Sequence, residues 1–188
     1  MNSDKRYYMA CLDLEGRPCL VVGGGRVALE KTRGLLECGA QVTVVAPAIV
    51  PELLDLPVRL VEGRYASADL EGQWLAIAAT PDRDVNRQVK ADADRYGILC
   101  NVADDPELCS FILPAVHRVD PLAIAVSTGG ASPALAQRLR DEIAAVVGLE
   151  HARLARQLRE LRPWAREHLP TYEERRAYFE QLVSEALG

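Results

Sequence analysis

Two adjacent carboxylates, Asp104 and Asp105, close the apolar run Ile98-Leu99-Cys100-Asn101-Val102, and a carboxylate at the end of a buried strand is placed to act as a general base. Consecutive residues leaving a strand point in different directions, so one of the pair can face a cleft while the other serves a turn or caps a helix. Asp105 stands directly before Pro106 and fits the capping role. Asp104 keeps two readings, a catalytic base and a solvated turn residue. A second group, Ser127-Thr128-Gly129-Gly130-Ala131-Ser132-Pro133, offers hydroxyls and amides that suit either a bound carboxylate or plain turn and cap chemistry. His117, beside Arg118, reads as a structural or exposed histidine rather than a catalytic one. The three histidines, His117, His151 and His168, have no ligand spacing, and no metal site is expected.

The run Cys19-Leu20-Val21-Val22-Gly23-Gly24-Gly25-Arg26-Val27-Ala28 has the form of a dinucleotide cradle: an apolar strand, three glycines, then a helix start. Without side chains at the turn, a pyrophosphate can approach the main chain and the unpaired amides of the helix. Gly23 and Gly25 fill the first two glycine positions of the nucleotide fingerprint, and Ala28 stands at the third. A glycine-rich turn that binds nothing is the alternative. The stretch from Gln41 to Val50 contains neither an acid for an adenosine ribose nor an arginine for a 2′-phosphate, so spacing does not choose between NAD and NADP.

The elements that must position these residues alternate. A helix from Val27 to Cys38, apolar at Val27, Leu35 and Leu36, stops at Gly39 and is followed by a strand over 41–46. Further strands are predicted over 57–63, 74–80 and 98–102, with a helix from Asp82 to Tyr96 between the last two. Such alternation specifies an open, doubly wound parallel sheet whose ligands bind beyond the carboxyl ends of its strands, where Thr80, Asn101 and Asp104 would lie. After Pro106 the pattern changes to one strand over 122–128 and a helix from Pro133 to Val147, a pair too small to hold its own core. The rest, from Leu149 to Gly188, reads as helix interrupted at Pro163 and Pro170.

The chain has 188 residues and a formal charge of -5, with no basic stripe, which argues against nucleic acid as a partner. Met1 to Tyr8 lacks the apolar core of a secretion signal and no stretch approaches a membrane span, so a cytoplasmic protein is expected. Its 5 cysteines form no CxxC pair, and buried reduced thiols are expected.

Five segments in order, Val22 to Ala28, Trp74 to Thr80, Asn101 to Pro106, Ser110 to Ala115 and Ser127 to Pro133, resemble the precorrin-2 dehydrogenase family, the dehydrogenase and ferrochelatase part of siroheme synthase, in a stand-alone form. The resemblance implies an α/β fold with a Rossmann-like NAD-binding domain over 1–114, a central dimerisation segment over 115–147 and a C-terminal helical domain over 148–188. It implies NAD-dependent oxidation of precorrin-2 to sirohydrochlorin by a homodimer, with a tetrapyrrole as the small-molecule substrate. Gly23, Gly24, Gly25, Arg26 and Val27 would hold the pyrophosphate, Pro47 and Ala48 the adenosine, and Thr80 the nicotinamide side. Asp104 matches the family's key aspartate. Asn101, Thr128, Gly129, Ser132 and Arg118 would meet the substrate, with Arg138 and Arg140 as further anchors for its carboxylates. Two other readings remain open: an enzyme that also inserts Fe²⁺ into sirohydrochlorin, and a module that senses NAD without catalysis.

Overall fold

A computed structural model of the chain describes residues 6–188; residues 1–5, part of the stretch read as lacking a secretion signal, lie outside the described residues. In chain order the elements are β1 (Pro18–Val22), α1 (Arg26–Leu36), β2 (Gln41–Ala46), α2 (Pro51–Leu54), β3 (Arg59–Glu62), β4 (Leu75–Ala78), α3 (Arg83–Tyr96), β5 (Leu99–Val102), β6 (Ala115–Val119), β7 (Leu122–Val126), α4 (Pro133–Val146), α5 (Leu149–His168) and α6 (Tyr172–Leu187). They fall into two compact units, the first ending at Ile112 and the second spanning Leu113–Gly188.

In the first unit β1 to β5 form one parallel sheet in the order β3-β2-β1-β4-β5. Both faces are covered, which is why the central strands β1 and β4 are apolar at every position rather than at alternate ones. Cys19, Val21, Val42, Val44, Leu75 and Ile77 pack on the α1 side, against Ala28, Leu29 and Leu35 of that helix. Leu20, Val22, Val45, Ala76, Ala78, Cys100 and Val102 pack on the other, against Val89 and Ala93 of α3. Val27, expected on the apolar face of α1, is 42% exposed; the buried stripe is Ala28, Leu29, Thr32 and Leu35. Asp82 caps α3 by accepting from the amides of Asp84 and Val85, worth about 1 kcal/mol, and Gly97 ends the helix at φ 69°.

One buried polar network ties the chain after β3 to α3. Asp92, 2% exposed, accepts from the Tyr65 hydroxyl at 2.9 Å and from the Ser67 hydroxyl, and pairs with Arg95.

The second unit departs from the sequence expectation in two places. A strand precedes the expected one: β6 and β7 form an antiparallel hairpin turning at Asp120-Pro121, with α4 packed against it. Pro163 does not interrupt the helix, since α5 runs through it to His168; the break falls at Pro170. Residues 115–147 and 148–188 lie in this one unit, where Arg156 of α5 donates to the carbonyl of Asp120 and, within 115–147, His117 Nε2 donates to the carbonyl of Val147 at 2.8 Å. Cys19, Cys100 and Cys109 are buried as expected, whereas Cys11 is exposed and Cys38 half-buried. Burial pushes the thiol of Cys19 up to about 11 and that of Cys100 to about 12, so both are protonated at neutral pH. Among the described residues no helix is long and apolar enough to cross a membrane.

Candidate functional site

The three glycines do different work at the carboxyl edge of the sheet. Gly23 leaves β1 at φ 129°, donating to the carbonyl of Val45 at 2.9 Å, and a Cβ there would lie 2.3 Å from the Ala79 carbonyl oxygen. A Cβ on Gly24 would lie 2.0 Å from the carbonyl oxygen of Ala48, and the Gly24 carbonyl accepts from Val50 at 2.8 Å. These two glycines therefore let the chain leave β1 between the ends of β2 and β4. At Gly25 the position of a Cβ has nothing within 4 Å, and Gly25, Arg26 and Val27 are exposed. The first bond of α1 runs from the Leu29 amide to the Gly25 carbonyl at 3.0 Å. The amides of Arg26, Val27 and Ala28 precede it and have no intrahelical partner by helix geometry. No side chain caps them and no acid stands in the first turn. Open space, bare amides and the positive end of the helix dipole together fit a pyrophosphate.

The other expected nucleotide residues line the same edge. Pro47 and Ala48 are exposed directly after β2, beside Gly24, and Thr80 follows β4 beside Gly23. The Thr80 hydroxyl is committed to structure: it donates toward the carbonyl of Asp82 at 2.9 Å and Asn86 Oδ1 at 3.0 Å, and accepts from the Asp82 amide at 3.1 Å. What Thr80 leaves open to a ligand is its surface at this edge rather than its hydrogen-bonding group.

Asp104 follows β5 and is exposed. It is the one non-glycine with positive φ among the described residues, at 62°. Aspartate tolerates this left-handed region better than most residues, yet still at about 1 kcal/mol relative to glycine. Cys109, expected from the sequence only as a buried thiol, holds the loop that carries Asp104. Its sulfur accepts from the Val102 amide at 3.2 Å and from Asn101 Nδ2 at 3.4 Å, while the thiol faces the carbonyls of Val102 and Asp105 at 3.3 and 3.2 Å. Asn101, expected at the substrate, is buried, and its amide donates to the carbonyl of Phe111 at 3.0 Å. Asp105 occupies the position before the short turn of Pro106–Leu108 but makes no side-chain cap bond; its carbonyl accepts from Leu108 at 3.2 Å instead.

Thr128, Gly129, Ser132 and Arg118 belong to the second unit. There the hydroxyls follow the turn and cap reading: Thr128 donates to the Ser132 carbonyl at 3.1 Å and accepts from its amide at 3.0 Å, and Ser132 caps α4 through the Leu135 amide at 3.2 Å. Gly129 donates to the Ser127 hydroxyl at 3.2 Å. Arg118 is exposed; Arg138 and Arg140 are paired with Glu142 and Asp141. Among the described residues no cluster of three metal-ligating side chains occurs.

Residues 10–115 match the family described as "Putative NAD(P)-binding", and residues 119–145 match the sirohaem biosynthesis protein central family. The siroheme synthase of Chromobacterium violaceum is 42% identical over 97% of this chain, and that of Methylococcus capsulatus 44% identical over 94%. The chain spans about 40% of the length of these curated relatives. A solved structure titled SirC, precorrin-2 dehydrogenase, superposes with a TM-score of 0.79 at 29% identity, covering 94% of this chain and 89% of that one. With more than half its residues under the first of these family models and its glycine cradle in the matching segment, the chain belongs to the NAD(P)-binding family.

Proposed function

We propose that the chain oxidises precorrin-2 to sirohydrochlorin with NAD, and that it does so as a homodimer held together through its second unit. The observation that carries this reading is the placement of Asp104. A carboxylate in a left-handed turn stands at the same sheet edge as the glycine cradle, with β4 and β1 between β5 and β2. The likeness to SirC over nearly the whole of both chains supports the choice of substrate.

The reaction removes a hydride and a proton from the reduced macrocycle and yields sirohydrochlorin, NADH and H⁺. Gly25, Arg26 and Val27 would hold the pyrophosphate of NAD, with Pro47 and Ala48 along its adenosine, and the bound nucleotide would supply the hydride acceptor. Asp104 takes the proton as the general base. The Cys109 sulfur and the Asn101 amide keep the Asp104 loop in shape, which fixes where that carboxylate stands. Purified protein given precorrin-2 and NAD should form NADH and sirohydrochlorin in equal amounts. A preparation that binds NAD but yields no NADH with precorrin-2 would sink the proposal.

A further inference from the structure

The end of β2 lacks the acid that commonly binds an adenosine ribose, but the strand beside it ends in one. In the parallel ladder between β2 and β3, Val44 is paired with Leu60 and Ala46 with Glu62. Paired residues of a parallel ladder project to the same face, and residues two apart share it. Val44 and Leu60 both pack into the core on the α1 side, so Ala46 and Glu62 face that side too. The Ala46 methyl confirms the direction, since it would lie 2.9 Å from a Cβ on Gly24. Glu62 thus stands on the face that carries the glycine cradle, one strand spacing of about 4.8 Å beyond the end of β2. The Gly63 amide, which donates to the Ala46 carbonyl at 3.0 Å, fastens this end of β3 to β2. Glu62 is exposed, and among the described residues its carboxylate makes no hydrogen bond or ion pair.

We infer that Glu62 supplies the missing ribose carboxylate: it accepts from the ribose hydroxyls of the adenosine and, by its charge, excludes a 2′-phosphate, which makes the site selective for NAD over NADP. This rests on the reading of the cradle as a nucleotide site. Two neighbours compete for the role. Glu52, exposed in the first turn of α2, is another carboxylate that follows the loop after β2, and Arg64, exposed two residues beyond Glu62, would favour a 2′-phosphate.

Calorimetric titration of the full chain with NAD and with NADP, without tetrapyrrole, separates these. Wild type should bind NAD the more tightly. Glu62→Gln should lose tenfold or more in NAD affinity and hold or gain affinity for NADP, while Glu52→Gln and Arg64→Gln leave the NAD value in place. Unchanged NAD affinity in Glu62→Gln, or a loss in Glu52→Gln instead, overturns the assignment while leaving the cradle intact. Tighter NADP binding that Arg64→Gln abolishes does the same. A wild-type chain that binds neither nucleotide overturns both the cradle and Glu62, and is told apart because no variant then has an affinity to lose.

Discussion

At the residue scale, the carboxylate and the backbone of Asp104 make separable demands. A left-handed φ of 62° is relaxed in glycine, so Asp104→Gly should keep or gain up to about 1 kcal/mol of stability while removing the base. Asp104→Asn keeps size and polarity and still cannot accept a proton. Both variants should unfold at or above the wild-type midpoint, bind NAD normally, and lose roughly 10²- to 10⁴-fold in turnover of precorrin-2. Were Asp104→Asn to turn over at the wild-type rate with saturating substrate, Asp104 would be the solvated turn residue of the alternative reading. The sequence offered both readings because composition does not reveal backbone torsion. Thr128 and Ser132 carried two readings for the same reason: hydroxyls near glycines serve turns and ligands alike, and here their hydrogen bonds go to the protein.

At the element scale, the sheet was legible because strands buried on both faces must be apolar throughout, and the helices between them carry recognisable starts and stops. The hairpin strand Ala115–Val119 was not, since its alternation is short and holds His117 and Arg118; only pairing with β7 makes it a strand. The glycine run was read correctly as an element but not in its division of labour. Gly24→Ala drives a methyl into the Ala48 carbonyl and should lower the unfolding midpoint steeply. Gly25→Ala, at φ −91° with open space around it, should leave the midpoint within a few degrees and weaken NAD binding at least tenfold. Equal loss of stability in the two would refute that division. The Asp92 network, invisible in sequence, makes stability depend on acid. The Ser67 hydroxyl does most to hold the Asp92 carboxyl below its ordinary 3.8; burial opposes this, and Arg95 and Tyr65 add to the lowering. A carboxyl with a depressed folded value gives stability that is fully present above the unfolded value and is lost as pH falls through the folded one. Asp92→Asn should therefore flatten the decline of unfolding free energy below about pH 4. Asp92→Ala, which strands two hydroxyls, should cost about 1–3 kcal/mol at neutral pH. Urea denaturation across that pH range reads both.

At the scale of the whole molecule, the two units are unequally provided with core. The first buries two apolar layers around its sheet. In Leu113–Gly188 the apolar residues that reach full burial are Ala136, Ala152 and Ala165, while Leu135 is 49% exposed, Leu149 63% and Val146 70%. A two-stranded sheet with α4 and part of α5 on it is marginal by itself, and its outer edges are unpaired. Covering the exposed part of one such Leu or Val is worth about 1–2 kcal/mol, so a second copy that covers several of them offsets the loss of translational freedom on association. The proposed homodimer follows from that deficit. Sedimentation equilibrium at micromolar concentration should give about twice the chain mass of 20.6 kDa. Placing charges on the exposed face, with Val146→Glu and Leu149→Glu together, should shift the mass to that of one chain and make the second unit unfold at lower temperature. The unfolding midpoint of the wild type should rise with protein concentration, and that of the double variant should not, because only an associating fold gains stability by mass action. NAD affinity should stay unchanged in the double variant, since the cradle is built from β1, β2 and α1 of the first unit alone. A wild-type chain that sediments as a monomer, with a midpoint independent of concentration, would rule the dimer out and leave the exposed face of α4 without its proposed cover.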